Sequence, residues 1–297
     1  MTLAERCEAD TLPACVLLAE RYRDGVGLPA NGQRAAQLFA RACDGDILLA
    51  CYEVANLYYH GTGMPLDYRR AAMIYAKLCE EGDSQSCGFL GYMYLAVEGF
   101  PKNDALGLDL ANRACRAGII DSCVTAGYTY FTGDDSVKNM GLAVQSYTKA
   151  CSGGNDFGCF NLAILYADGQ GVAQNLARAR ELYARTCRAD EVIGCNNLGV
   201  LYEHGNGVPR NLDRAMAYYR QACEGGESYG CNNQAALERA RAPVSYAANE
   251  YYPPGPQPIS EVDLYLTERY RPPPPPPPPP PAPVINSFYA TTSGLGW

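Results

Sequence analysis

The chain has 297 residues, with 24 basic and 32 acidic side chains and a formal charge of −8. An acidic chain without a basic patch lacks the electrostatic footprint a phosphate backbone needs, so nucleic acid is not expected as a partner. No run of eighteen apolar residues occurs, so no membrane-spanning helix is expected either.

The N-terminal residues Met1 to Arg6 leave no room for the apolar region of an export signal. Leu3-Ala4-Glu5-Arg6 before Cys7 resembles Phe39-Ala40-Arg41-Ala42 before Cys43, the last turn of a helix, so we expect sequence upstream of this start. Fourteen cysteines then follow, at Cys7, Cys15, Cys43, Cys51, Cys79, Cys87, Cys115, Cys123, Cys151, Cys159, Cys187, Cys195, Cys223 and Cys231, with gaps alternating 8 and 28. A period of 36 residues means one structural unit repeated along the chain. Many evenly placed cysteines favour an oxidising compartment, periplasmic or secreted, with the cytoplasm as the alternative.

Counting each unit from its first cysteine aligns the rest. Position 13 is small (Ala19, Ala55, Gly91, Gly127, Ala163, Gly199) and position 16 is tyrosine (Tyr22, Tyr58, Tyr94, Tyr130, Tyr166, Tyr202). On a helix these lie on one face, where the small residue admits a neighbouring helix and the ring is expected to fill the groove. Glycine pairs such as Gly25/Gly27 and Gly169/Gly171 stop this first helix. Position 25 is Asn31, Asp67, Asn103, Asn139, Asn175 or Asn211, an N-cap that starts a second helix carrying Ala35, Ala71, Ala143, Ala179 and Ala215 on its packing face. The third and fourth units depart from the pattern, with Val97 and Asp135 replacing glycines and Gly107 replacing the helix alanine, so irregular loops are expected there.

The fold class that follows is all-α, an α-solenoid of stacked antiparallel helix pairs with a TPR-like superhelical course and a concave face. Residues 1–240 make about six full repeats plus partial terminal units. Residues 241–271 read as a linker, with a short capping helix from Ser260-Glu261-Val262-Asp263 to about Tyr270. Residues 272–297 read as disordered: ten consecutive prolines, Pro272 to Pro281, are a spacer or a docking ligand, and Phe288, Tyr289 and Trp297 form an aromatic end suited to contacting a partner.

In each unit the first cysteine ends one helix and the second lies eight residues on, in the next. Antiparallel helices bring such positions into disulfide range, which predicts the sequential pairs Cys7–Cys15 through Cys223–Cys231. Zinc, haem and buried free thiols are the competing readings; zinc fits poorly because each pair stands alone, with no histidine nearby. No metal or cofactor is expected.

The small residue, tyrosine, Gly-x-Gly, Asn/Asp and alanine over 36 residues resemble the Sel-1-like repeat, and the cysteine pairing is similar to its cysteine-rich branch, typified by the Helicobacter cysteine-rich proteins. The resemblance covers residues 3–240. It implies a protein- or peptide-binding scaffold or adaptor. Some members of that branch are described as binding or slowly hydrolysing β-lactams, so a β-lactam-binding or β-lactamase-like protein is the alternative reading. A looser similarity to a cysteine-rich respiratory oxidase assembly factor of the mitochondrial intermembrane space is a second alternative.

Chemistry-bearing residues are few. The only Ser-x-x-Lys is Ser146-Tyr147-Thr148-Lys149, without the Ser-Asp-Asn or Lys-Thr-Gly that such a nucleophile requires, and Ser146 stands where other units place Leu38, Ile74 and Leu182. The only histidines, His60 and His204, share position 18 with Asp24 and Asp168, which suits a structural or solvent-facing role. No catalytic residue is assigned. Asn161, Asn196, Asn197, Asn232 and Asn233 are the candidate partner-binding residues, expected as exposed amides on the concave helical face.

Overall fold

The computed structural model describes residues 2–9, 11–97, 100–188 and 192–241. These lie within one unit, Met1–Ala242. The expected linker helix, the proline run and the aromatic end lie outside the described residues.

Among the described residues there are fourteen helices and no strand: α1 (Leu3–Glu8), α2 (Leu12–Asp24), α3 (Gly32–Asp44), α4 (Leu48–His60), α5 (Tyr68–Glu80), α6 (Ser84–Ala96), α7 (Asp104–Arg116), α8 (Ile120–Thr132), α9 (Met140–Ser152), α10 (Asp156–Asp168), α11 (Leu176–Arg185), α12 (Cys195–His204), α13 (Leu212–Glu224) and α14 (Ser228–Arg241). Each packs on its neighbours in sequence. Even-numbered helices are therefore the first of a unit and odd-numbered helices the second.

Second helices begin for the predicted reason. The side chains of Asn31, Asp67, Asn103, Asn139, Asn175 and Asn211 each accept from the backbone N–H three residues on, at 2.9 to 3.1 Å. Each such cap stabilises a helix start by about 1 kcal/mol. The backbone N–H of the same residue returns to the carbonyl of the position-16 tyrosine, as from Asn31 to Tyr22 at 2.7 Å and from Asn175 to Tyr166 at 2.8 Å. Helices α2, α4, α10 and α12 end on left-handed glycine, whereas α6 and α8 end on extended Val97 and Gly133, the two units whose glycine pair is broken.

The groove at position 13 is filled by a different ring from the one expected. Position 33 supplies it: Phe39, Tyr75 and Tyr219 are 0% exposed, Tyr147 1% and Tyr183 3%. A Cβ on Gly127 would lie 2.8 Å from the Tyr147 ring, and one on Gly199 2.6 Å from the Tyr219 ring. The position-16 tyrosines are half-buried at the flank. There the Arg70 guanidinium lies over the Tyr58 ring at 5.5 Å and donates to its hydroxyl at 3.2 Å, and Arg214 treats Tyr202 alike. Unit three has Ala111 at position 33 in place of a ring. Gly91 and Gly107 recover the lost volume, because α6 and α7 approach so closely that a Cβ on either would lie 2.9 to 3.0 Å from the other's carbonyl oxygen.

Successive units are joined covalently. The sulfurs of Cys7–Cys15, Cys43–Cys51, Cys79–Cys87, Cys115–Cys123, Cys151–Cys159, Cys187–Cys195 and Cys223–Cys231 stand at bonding distance, with Cα atoms 4.4 to 4.7 Å apart. Each pair ties the end of one second helix to the next first helix. Closing so short a loop stabilises by about 2.5 kcal/mol on chain-entropy grounds.

A second link escaped the sequence reading. Position 35 is Arg41, Lys77, Arg113, Lys149, Arg185 or Gln221, always a long donor. Arg113 donates to the Cys79 carbonyl at 3.0 Å, Lys149 to that of Arg116 at 3.2 Å and Gln221 to that of Arg188 at 2.9 Å. These are carbonyls at or just past the C-terminal end of the preceding second helix, where a donor, and above all a cation, is favoured.

Because Gly127 faces a ring that cannot move aside, Gly127→Ala is expected to destabilise the fold by about 1–3 kcal/mol in urea unfolding. Adding Tyr147→Leu should recover part of that loss, and simple additivity of the two changes would contradict the contact.

Candidate binding face

First helices of successive units approach one another, α6 against α8, α8 against α10 and α12 against α14, and the second helices make no comparable approach. In a curved stack the more closely spaced layer is the inner one. Cross-unit contacts in this layer use repeat positions 5, 7, 10, 11 and 17. Asn155 donates to Asp121 at 3.1 Å, Asn233 to Asn196 at 2.7 Å, and Arg23 pairs with Glu53 at 3.2 Å. Large apolar side chains stay open at positions 7 and 11, with Leu17 49%, Leu49 37% and Phe157 46% exposed.

The asparagines divide. Asn196 and Asn197, expected on the surface, are buried at 3% and 5% exposure. They stand in the first turn of α12, under α14, where Asn196 donates to Asn197 at 3.2 Å and accepts from Asn233. Together the three form an amide staple between units, which corrects the expectation of exposed amides for this pair. Asn161 is half-buried and donates to the Phe157 carbonyl of its own helix at 2.8 Å, and Asn232 is exposed.

The same repeat positions at the other end of the stack hold residues that the sequence reading passed over. On α2, Arg23 bridges Asp24 at 2.8 Å and Glu53 of α4 at 3.2 Å, with its guanidinium 5.8 Å from the Phe39 ring. Glu20, one turn earlier, is half-buried and makes no hydrogen bond to a described residue. Burial raises its carboxyl above the ordinary range, against the pull of Arg23 and with the help of Glu53 and Asp24. Between α4 and α6, Tyr75 stacks on Phe89 with centroids 5.4 Å apart, and Tyr52 meets both edge-on. The Tyr75 hydroxyl donates to Asn56 Oδ1 at 2.6 Å. Asn56 is 6% exposed, and its Nδ2 has no partner among the described residues. The buried Tyr52 hydroxyl lies near the Asn56 and Gln85 amides without good hydrogen-bond geometry to either, and burial holds the Tyr52 and Tyr75 phenols neutral. One signal was available: Glu53 shares position 11 with Asn161, Asn197 and Asn233.

No hydrogen bond joins Ser146 to Lys149, which lie one turn apart on α9. Ser146 is buried at 9% exposure, and the Lys149 ammonium is engaged by the Arg116 carbonyl one repeat earlier. His60 sits edge-on to the Tyr59 ring at 4.8 Å, and burial lowers its pKa. No group of three or more His, Cys, Asp or Glu among the described residues can hold a metal ion.

A carboxyl whose pKa is raised in the fold stabilises below its unfolded value, and that stability is lost as pH rises through the folded value. Glu20→Gln should therefore match or exceed the wild-type Tm at pH 7, with the difference disappearing below the carboxylate range. A lower Tm at pH 7 would show Glu20 to be favourably paired.

The Sel1 repeat profile matches six times, at residues 12–46, 48–83, 84–119, 121–155, 157–191 and 192–227, each match taking in a first and a second helix. Among solved structures, the fold is similar to a protective antigen of uropathogenic Escherichia coli described as displaying an SLR fold. There the TM-score is 0.74 at 24% identity over 81% of this chain and 51% of the antigen, so the chain spans about half the antigen's length. A Sel1 repeat protein from Oxalobacter formigenes is similar at TM-score 0.63 and 22% identity, over 73% of this chain and 89% of that one. Comparison with curated proteins gave no match. With six matches covering most of its length, on the helix pairs the cysteine period marked out, the chain belongs to the Sel1 repeat family.

Proposed function

We propose that the chain is a scaffold that binds a segment of another protein along the inner face formed by its first helices. Sel1 repeats commonly mediate protein interaction, and solenoids present extended concave surfaces for that purpose. One observation carries the reading for this chain. Positions 1 and 9 are cysteine in every unit, and position 13 is small in all six units that form a helix pair, as packing demands. Position 11, on the inner layer, instead runs Leu17, Glu53, Phe89, Thr125, Asn161, Asn197, Asn233. Glu53, Phe89, Asn197 and Asn233 answer to contacts within the array, whereas Leu17 is exposed and Thr125 and Asn161 are half-buried, so the chemistry of these three is free to follow a partner.

The sulfur pairs suit an oxidising compartment, and the chain works in the periplasm or outside the cell. No helix among the described residues is long and apolar enough to cross a membrane. The burial of Ser146 and the engagement of Lys149 lend no support to β-lactam hydrolysis.

The immobilised chain should capture a partner from a periplasmic or secreted fraction. Leu17→Asp combined with Phe157→Asp on the inner face should reduce capture about tenfold or more. Met73→Asp, at a residue of α5 that is 72% exposed, should not. Equal capture by all three proteins would overturn the inner-face assignment.

A further inference from the structure

The first helices of units one to six each pack against a second helix, and α14 is a first helix whose matching face is open. Position 13 is buried in units one to six and exposed in unit seven, where it is Ala235; Ala236 and Ala240 are exposed beside it. In register, the places that hold the cap, the alanine and the ring of a second helix are Ala247, Tyr251 and Gly255, with Pro253 and Pro254 between. The repeat signature of a second helix is therefore absent there from the sequence, although α14 offers one half of the interface.

The completed units specify what that interface accepts. Position 13 takes the position-33 ring, as Gly127 takes Tyr147 and Gly199 takes Tyr219. Position 16 takes the position-28 arginine, as Tyr58 takes Arg70 and Tyr202 takes Arg214. The position-35 donor reaches carbonyls at or just past the end of the preceding second helix, and at this end the equivalent carbonyls are those of Cys223 and Glu224, the last two residues of α13. The full pattern, Arg-Ala-x-x-x-aromatic-x-donor, runs from Arg34 to Arg41, Arg70 to Lys77, Arg178 to Arg185 and Arg214 to Gln221.

Charge supplies a second, independent observation. Position 16 of unit seven is Glu238 in place of tyrosine, and position 12 is Gln234 where units one to six are apolar. Gln234 donates to Glu238 at 2.9 Å, and Glu238 pairs with no cation among the described residues. Polar residues at the end of a solenoid keep it soluble while that face is open. A carboxylate at position 16 also turns the contact with a position-28 arginine from ring stacking into charge pairing, which favours arginine over the leucine that two units carry there.

We propose that the open face of α14 is a docking site for one amphipathic helix of a partner protein, bearing the pattern Arg-Ala-x-x-x-Tyr/Phe-x-Lys/Arg. The helix completes unit seven in trans, with its ring against Ala235, its arginine against Glu238 and its last cation at the Cys223 and Glu224 carbonyls. Anchors at such spacing are how a groove reads a helix. The site lies on the side of α14 turned to the second-helix layer, so it is separate from the inner face.

The test uses the full chain and a fluorescein-labelled peptide with the sequence Asp67 to Leu78, which carries the whole pattern, followed by fluorescence anisotropy. The peptide should bind, and peptides with Tyr75→Ala or Arg70→Glu should bind at least about tenfold more weakly. In the chain, Ala235→Glu should weaken binding about tenfold with Tm unchanged, because the position is exposed. Glu238→Arg should weaken binding of the original peptide and recover that of the Arg70→Glu peptide, a reversal that a merely structural role would not produce. Leu17→Asp combined with Phe157→Asp, on the inner face, should leave affinity unchanged. Failure of the peptide to bind would overturn the proposal and mark this end as a solvated cap. Wild-type affinity in Ala235→Glu, no recovery in the charge-reversed pair, or loss of binding in the inner-face variant would each overturn it as well.

Discussion

The distance between the two helices of a unit is set where a small residue at position 13 meets whatever stands at position 33. With a ring there, as at Tyr147 or Tyr219, the glycine or alanine opposite leaves room for one aromatic thickness and no more. With Ala111 there, Gly91 and Gly107 let the backbones close up until they touch. Both solutions fill the same space, one with a side chain and the other by removing two of them. Interiors at close-packed density leave few alternatives, and every other contact in the stack takes its position from this one.

Between units the couplings are covalent, polar and apolar, and each of those described reaches only one repeat away. The sulfur pairs join a second helix to the next first helix, and the position-35 side chains return from one second helix to the end of the previous one. A structure built this way has nearest-neighbour stability, with no interaction binding distant units directly. The inner face is what these couplings leave over. Its composition changes from Glu53 and Phe89 at one end to Asn197 and Asn233 at the other, each meeting a different neighbour within the array: Arg23, Tyr75 and Asn196.

How much of this was legible depended on whether a residue's role is local. N-caps at position 25 and cysteines eight apart act within one turn or one loop, and they could be read from spacing. The position-33 rings were visible as residues of the second helix, but choosing them over the position-16 tyrosines required knowing which ring points between the helices, and that depends on the tertiary crossing. Nothing local marks position 35, because the carbonyl it meets is a full repeat away. The amides failed in the opposite sense. Asn196 and Asn197 are hidden by α14, a helix that follows in sequence but covers them in space. Asn56 went unnoticed because only the packing of α5 on α4 brings the Tyr75 hydroxyl to its amide.

The eight-residue spacing of the sulfur pairs also bears on how the protein acquires its bonds. Each cysteine's correct partner lies 8 residues away on one side, and the next cysteine on the other side lies 28 away. On loop-closure entropy alone the shorter ring is favoured by about 1 kcal/mol, and loops of such length close within roughly 10–100 ns. An oxidant acting on the chain as it emerges from a translocation pore, and joining cysteines in order of appearance, would produce the native set without a shuffling step. The spacing by itself therefore favours these pairs, whether or not the solenoid has yet formed.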